Sequence, residues 1–226
     1  ALFRITYAGD ESTQPVSGEL PNAGARNLRR SLEFFHGEVN HAGIATTLAW
    51  PHLSSSDRWL RHAARVAIES QPLSDWAEKV FLEENPQARI TGAVALARMG
   101  QETHQARLVD ALLELEPKKL SESQFLGLLR AYALTFVRLG EPSGVQKAKV
   151  IAQLDSHFPN SSRDVNTELV RVLVYLEAPN VIAKTTKLIE KPGKVDIPDW
   201  AELASRNKGY GGRVLAMLGN HPPSHE

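Results

Sequence analysis

The chain has 226 residues and a mass of 24.9 kDa, which is enough for one large domain or two modest ones with a sizeable core. A hydrophobic share of 42% with 23% charged residues is typical of a folded globular protein and argues against disorder. Basic and acidic residues both number 26, so the formal net charge is zero. This balance argues against a nucleic-acid-binding surface, since such affinity depends on excess Lys and Arg.

The chain contains no cysteine, which excludes disulfides, thiol catalysis, cysteine zinc sites, iron–sulfur clusters and covalently attached c-type haem within it. No apolar run approaches the roughly 20 residues that span a bilayer, so we expect no membrane span. The N-terminus lacks the regions of a signal peptide. The chain is therefore expected to be soluble, and a piece cut from a longer protein is one interpretation.

The first 24 residues differ from the rest of the chain. The run LFRITY (residues 2–7) is of β type, and residues 10–24 form an aperiodic stretch rich in Ser, Thr, Pro and Gly that reads as a linker. A lone strand needs a partner for its backbone groups. We therefore predict that the N-terminal run pairs with a sheet outside this chain or packs as an extended arm.

From residue 25 onward every periodic stretch is helical. Cap residues support several of the helix starts: Ser55 or Ser56, Ser74, the Asn85–Pro86 pair, and Ser121. Helices are predicted over 25–36, 42–50, 55–71, 74–82, 86–99, 104–115, 121–139, 145–157, 164–176, 180–190, 198–206 and 210–218.

The helix that begins after Ser121 has the clearest apolar stripe. Its apolar residues recur at offsets of 0, 3, 4, 7, 11 and 14: Phe125, Leu128, Leu129, Tyr132, Phe136 and Leu139. The predicted fold class is therefore all-α, apart from the short N-terminal β-type arm.

A motif recurs at the ends of the apolar helices. ARMGQE at residues 97–102 is followed 40 positions later by VRLGEP, another 37 later by VYLEAP, and another 42 later by AMLGNH. A helix–turn–helix unit of about 40 residues is typical of HEAT or armadillo-like superhelices. We predict such a stack over residues 25–220, with 221–226 as a C-terminal linker; the alternative is an irregular helical bundle.

Arginine rows are the main candidate for a functional surface. Three arginines share one face of the third helix, two occupy corresponding positions of the repeated motif, one lies two turns before the second of these, and one shares a face with a glutamate. These residues are Arg58, Arg61, Arg65, Arg98, Arg138, Arg130, Arg171 and Glu168. One interpretation is a structural ladder that joins successive repeats, with Arg98 and Arg138 contacting carboxylates or helix-end carbonyls of adjacent repeats. The other is a concave groove that recognises a partner domain or an anionic ligand.

Helical phase also predicts that Trp59 and Trp76 are buried. Met99 and Met217 occupy equivalent positions of the repeated motif, and we expect both to pack in the core. The eight histidines do not form a pattern of metal ligands. Pro222 and Pro223, for example, prevent His221 and His225 from sharing a helix face. We therefore predict neither a metal nor another cofactor.

Several segments carry a resemblance to a known architecture: LEFFHGEVN, DRWLRHAARVAIESQPLSDW, LLRAYALTFVRLGEP, NTELVRVLVYLEAPNV and RNKGYGG. They resemble the HEAT-like helical region of large secreted planctomycete-type proteins, which also contain a sugar-dehydrogenase-like β-propeller and a c-type cytochrome domain. The opening LFRITYAGDEST resembles the last propeller strand and exit linker. The resemblance implies propeller and cytochrome domains as partners and an extracytoplasmic location.

Two functions follow as hypotheses. The first is a non-catalytic scaffold or binding module that links a propeller dehydrogenase to an electron-accepting domain. The second is an α-helical carbohydrate-active enzyme, whose site would use paired carboxylates or histidines among Glu33, His36, His41, Trp50 and His52.

Overall fold

A computed structural model of the protein describes residues 8–11, 14, 22–37 and 43–190. Ten α-helices and five short 3-10 turns make up the regular structure of these residues, which contain no strand. The helices are α1 (Ala23–Glu33), α2 (Ile44–Ala49), α3 (Arg58–Glu69), α4 (Ala77–Leu82), α5 (Pro86–Met99), α6 (Gln105–Leu113), α7 (Glu122–Leu139), α8 (Gly144–Leu154), α9 (Arg163–Tyr175) and α10 (Val181–Ile189).

The all-α prediction is thus confirmed for the described part of the chain. Three predictions lie outside it: the β-type arm at residues 2–7, the helices at 198–206 and 210–218, and the fourth copy of the repeated motif, which includes Met217.

Side-chain caps begin five of the ten described α-helices: α3, α5, α7, α8 and α9. The Asn85 side chain accepts hydrogen bonds from the Gln87 and Ala88 amides, with Pro86 in the first turn. Ser121 and Gln124 form the predicted capping box at the start of α7. Such caps satisfy amide donors that have no partner within the helix.

The cap of α3 differs from the prediction. Asp57 rather than Ser55 or Ser56 accepts from the Trp59 and Leu60 amides, at 2.8 and 3.4 Å. An extended residue with a carboxylate directly before the helix is well suited to this role, and it delays the start of α3 to Arg58.

The helix predicted from Ser74 is also different. A 3-10 turn covers Leu73–Asp75, and α4 begins only at Ala77. Between them Trp76 adopts a non-helical conformation (φ −142°), with its ring buried and its Nε1 donating to the Gln71 carbonyl at 3.3 Å. Burial of this large ring accompanies the interruption of the helix.

The helices pack in two layers. One layer contains α1, α3, α5, α7 and α9, each in contact with the next, and the second contains α4, α6 and α8, again in sequence. Contacts of α5 with α4 and α6, of α7 with α6, and of α9 with α8 join the layers, and α10 also contacts α9. Each helix therefore buries its apolar stripe against neighbours on more than one side, and one continuous core results.

The α5 and α7 helices form the centre of this core. All six predicted stripe residues of α7 are buried, which confirms the prediction from their spacing. Nine of the fourteen residues of α5 are buried, so this helix is covered on nearly every side.

The burial predictions for the tryptophans and for Met99 have mixed outcomes. Trp76 is 1% exposed, as predicted, whereas Trp59 is 58% exposed, so that prediction is wrong. Trp59 lies one turn before Ala63, the first buried residue of α3, and therefore extends beyond the end of the core. Met99 is 48% exposed where the chain leaves α5 in an extended conformation at Gly100, so core packing was also the wrong expectation there.

Among the described residues, the helices are either too short or too polar to cross a lipid bilayer.

Candidate functional site

A buried carboxylate joins the first two long helices of the stack. Glu69, in the last turn of α3, is 8% exposed and pairs with Arg65 one turn earlier. The Arg98 side chain reaches the same oxygen from α5, with Nε 3.1 Å from Glu69 Oε1. A buried charge is tolerated when it is paired, and here the pairing ties α3 to α5.

The next connection runs from α7 to α5. Arg138 donates from Nη2 to the Arg98 carbonyl oxygen at 3.0 Å, near the C-terminal end of α5, where helix carbonyls carry partial negative charge. Arg98 thus contacts a carboxylate and Arg138 a helix-end carbonyl, each on the preceding helix of the same layer. We call Arg65, Glu69, Arg98 and Arg138 the arginine ladder.

Two other arginines of α3 do not belong to the ladder. Arg61 donates to the Ser55 and Ser56 carbonyls at 2.5 and 3.0 Å, which holds the loop before α3. Arg58 lies over the exposed Trp59 ring, 5.0 Å from its centroid. The three arginines of this predicted row therefore have three separate roles.

His62 lies beside the ladder on the same helix. Its Nδ1 is 3.2 Å from Arg65 Nη2, and because Arg has only donors the ring nitrogen is the acceptor. Burial, and then the positive charge of Arg65, lower the pKa of His62 below its ordinary value of 6.5.

A cleft of about 520 Å³ opens between α7 and α9. Its walls consist of two residues of α7 and four of α9: Leu126, Arg130, Arg163, Asp164, Thr167 and Glu168. Among the described residues, Arg130 makes neither an ion pair nor a hydrogen bond within the fold and is exposed to solvent. The structure thus brings the predicted Arg130 and Glu168 together in a cleft rather than in a ladder.

Direct contacts join the two helices on either side of this cleft. At one end the Ser162 hydroxyl donates to Glu122 at 2.6 Å. About two turns beyond the residues that line the cleft, the Tyr175 ring stacks on Phe136, with centroids 5.6 Å apart and planes 8° from parallel. Since the first contact joins the N-terminal ends of α7 and α9 and the second joins their C-terminal parts, the two helices run in the same direction.

Glu168 and Arg171, which the sequence places on one face of a helix, contact each other rather than a neighbouring repeat. Glu168 and Arg171 form an ion pair of 2.6 Å between neighbouring turns of the same helix. Arg171 is largely exposed, and the contact does not connect α9 to another helix.

Several residues that join helix pairs were missed by the sequence analysis. Gln146 donates from α8 to the Ala106 carbonyl of α6 at 2.8 Å, and Gln153 donates to the Leu115 carbonyl at 2.7 Å. Arg89 of α5 reaches the Ala111 carbonyl at 3.0 Å. The available signal was a long polar side chain within an otherwise apolar helix, but its partner cannot be read from spacing alone.

Most of the residues of the alternative enzyme site have internal contacts. Glu33 pairs with Arg29 at 2.8 Å, His36 Nε2 lies 2.8 Å from the Ala63 carbonyl, and Trp50 donates to Glu83 at 2.6 Å. His41 lies outside the described residues, and His52 is half-buried in the 3-10 turn after α2.

Within the described ranges, no group of three or more His, Asp or Glu side chains is placed to hold a metal ion. Comparison with known proteins gives no significant match to a protein-family model, to a curated protein or to a solved structure.

Proposed function

We propose that this chain is a non-catalytic helical-repeat module, a HEAT-like stack over residues 25–220 that serves as a scaffold or binding surface. The observation that carries the proposal is a set of hydrogen bonds between residues 38 to 40 positions apart: Thr91 to the Leu53 carbonyl, Arg138 to the Arg98 carbonyl, Gln146 to the Ala106 carbonyl, Gln153 to the Leu115 carbonyl and Ser162 to Glu122.

These intervals match the spacing of 40 and 37 residues between successive copies of the repeated motif. A stack in which each unit contacts only its neighbours is extended in one dimension and offers a long surface relative to its mass. Such geometry is suited to holding other domains at fixed positions.

The neighbours that we propose come from the resemblance described above: a propeller dehydrogenase domain and an electron-accepting cytochrome domain, in a periplasmic or secreted protein. In this arrangement the helical module carries neither cofactor nor substrate. The reaction belongs to the neighbouring domains.

The proposal can be tested by binding and activity measurements on one preparation. The purified chain is immobilised, and a quinoprotein sugar dehydrogenase and a monohaem c-type cytochrome are passed over it as probes. We expect saturable binding of at least one probe, and neither dye-linked sugar oxidation nor release of reducing sugar from polysaccharides by the chain itself.

Sugar release by the chain that disappears in Glu33→Gln would contradict the proposal and favour the alternative enzyme. Arg58→Gln provides the matched control, because Arg58 is exposed and remote in sequence from Glu33. Failure of both probes to bind would remove the proposed link to propeller and cytochrome domains.

A further inference from the structure

We infer that the α7–α9 cleft binds an extended segment of a partner polypeptide, with an acidic side chain of that segment paired to Arg130. This inference rests on the proposed function and deepens it by naming a site and a class of ligand. Four observations support it.

The first observation is the state of Arg130. In the described residues nearly every other arginine of the helical layers is engaged within the fold, as Arg89 is with Glu114 at 2.7 Å and Arg107 with Glu78 at 2.7 Å. Arg130 makes neither an ion pair nor a hydrogen bond with the described residues, although carboxylates line the same cleft. A guanidinium held in a concave site with its donors unused is a receptor for a carboxylate.

The second observation concerns the acidic residues. Glu168 is already paired with Arg171 at 2.6 Å, so its charge is compensated within α9. Arg130 is therefore a positive group in the cleft that an external anion can pair with, and the neighbouring Asp164 disfavours segments that carry several negative charges together.

The third observation is the size of the cleft. A volume of about 520 Å³ is within the range of roughly 300–1,000 Å³ that accommodates ligands. It exceeds what a single carboxylate group requires.

The fourth observation is an apolar extension along the same two helices. Val137 lies 137 − 130 = 7 residues after Arg130 on α7, and Val174 lies 174 − 167 = 7 residues after Thr167 on α9. Seven residues are two turns, so each valine lies on the same face as the cleft residue, about 10 Å further along the helix. Val137 is 78% and Val174 50% exposed.

A ligand that reaches both the arginine and the valines must therefore span about 10 Å. Three residues of a polypeptide in the polyproline II conformation cover this distance at about 3.1 Å each, and side chains three positions apart then lie on the same side. The inferred segment carries Asp or Glu, followed or preceded three positions away by an apolar side chain. The acidic residue meets Arg130, and the apolar residue packs on Val137 and Val174.

The inference is tested with fluorescein-labelled synthetic peptides that contain Glu or Gln at one position and Leu or Ser three positions away, in both orders, within a Gly-Ser background. Binding to the purified chain is measured by fluorescence anisotropy. We expect the Glu–Leu peptide in one of the two orders to bind, and replacement of its Glu by Gln to weaken binding about tenfold.

Matched variants locate the site. Arg130→Gln should weaken binding about tenfold, whereas Arg58→Gln, which alters another exposed arginine, should have no effect. Val137→Ser should weaken binding about threefold, and Val145→Ser, an exposed valine of α8, should not. Circular dichroism of all four variants confirms that each is folded.

Three outcomes would overturn the inference: none of the peptides binds, binding is unchanged in Arg130→Gln, or free glutarate competes at the same concentration as the peptide. The last outcome would assign the cleft to a small carboxylate. If the dehydrogenase or cytochrome probe binds while the peptides do not, the cleft assignment fails and the proposed scaffold function stands.

Discussion

The junction between α3 and α5 and the junction between α7 and α9 show two ways in which neighbouring helices of one layer can meet. At the first, the buried Glu69 binds arginines from both helices. At the second, contacts at the two ends hold the helices while a cleft remains between them. A stack can therefore vary its junctions, some closed by charge pairing and others open to a ligand, without changing the order of its helices.

The largest effect is expected at the closed junction. Glu69→Ala should lower the free energy of unfolding by about 3 kcal/mol, because Arg65, whose side chain is only 16% exposed, then loses its buried partner. Urea denaturation monitored by circular dichroism measures the loss. Glu116→Ala is the control, since it removes an exposed pair with Lys119 and should change stability by less than about 0.5 kcal/mol. Equal stabilities for the two variants would show that the junction does not depend on its carboxylate.

The next largest effect on stability is expected at Arg138, the residue of the arginine ladder that lies on α7. Arg138→Ala removes a charged hydrogen bond to the Arg98 carbonyl at a solvent-exposed position, so we expect a loss of about 1 kcal/mol. Arg138→Lys should restore only part of it, because the shorter ammonium group lacks the planar guanidinium. Thermal melts of the three proteins check the order. A melt of Arg138→Ala that coincides with the parent would contradict a structural role.

A change in pH is expected to have a smaller effect on stability, through the protonation of His62. The pKa of His62 is lowered in the folded protein, first by burial and then by Arg65, with His36 and Arg98 acting in the same direction and Glu69 opposing them. The unfolded chain therefore binds the proton more readily. The contribution of His62 to the free energy of unfolding is therefore fully present above its ordinary pKa of 6.5. This contribution is lost as the pH falls through the lowered pKa of the folded protein.

This dependence is measured by urea unfolding at several values between about pH 5 and pH 8. His62→Gln should flatten the curve in that window. His157, whose pKa is lowered by burial and then by Lys118, should leave a residual slope of the same sign. A curve identical to that of the parent would show that His62 does not contribute.

The smallest effect is expected at the open junction. Arg171→Ala breaks a pair with Glu168 between turns of α9, and because Arg171 is 67% exposed we expect a loss of no more than about 0.5 kcal/mol. The same variant leaves Glu168 uncompensated beside Arg130, so it should weaken binding of the acidic peptide. A stability loss as large as that of Glu69→Ala would mean that the two junctions are built alike.

Much of the fold could be predicted from the sequence because its signals are local. Cap residues such as Asn85 and Ser121, and the apolar spacing of α7, act within one or two turns. The corresponding positions of Arg98 and Arg138 in the repeated motif led to the ladder interpretation, and both side chains reach the preceding helix of their layer. Trp59 was mispredicted because periodicity identifies a face but not where along the helix its neighbours end.

The cleft could not be predicted for a different reason. Arg130 and Glu168 were recognised as members of arginine rows, but the room between α7 and α9 depends on how closely the two helices approach. That distance is set by side chains on both helices and by the contacts of Ser162 and Tyr175 at the ends. The distance between α7 and α9 therefore cannot be predicted from the pattern of one sequence.

The close packing of α5 has a consequence for how the protein can change over evolutionary time. A methyl group added at Gly92 would lie 3.3 Å from Val80 Cγ2, and one added at Gly127 of α7 would lie 2.9 Å from Ile90 Cγ2 of α5. Larger residues at these positions would push α5 away from its neighbours on both sides. The centre of the stack is therefore the region where changes in side-chain size are least tolerated, while exposed positions such as Val145 remain open to substitution.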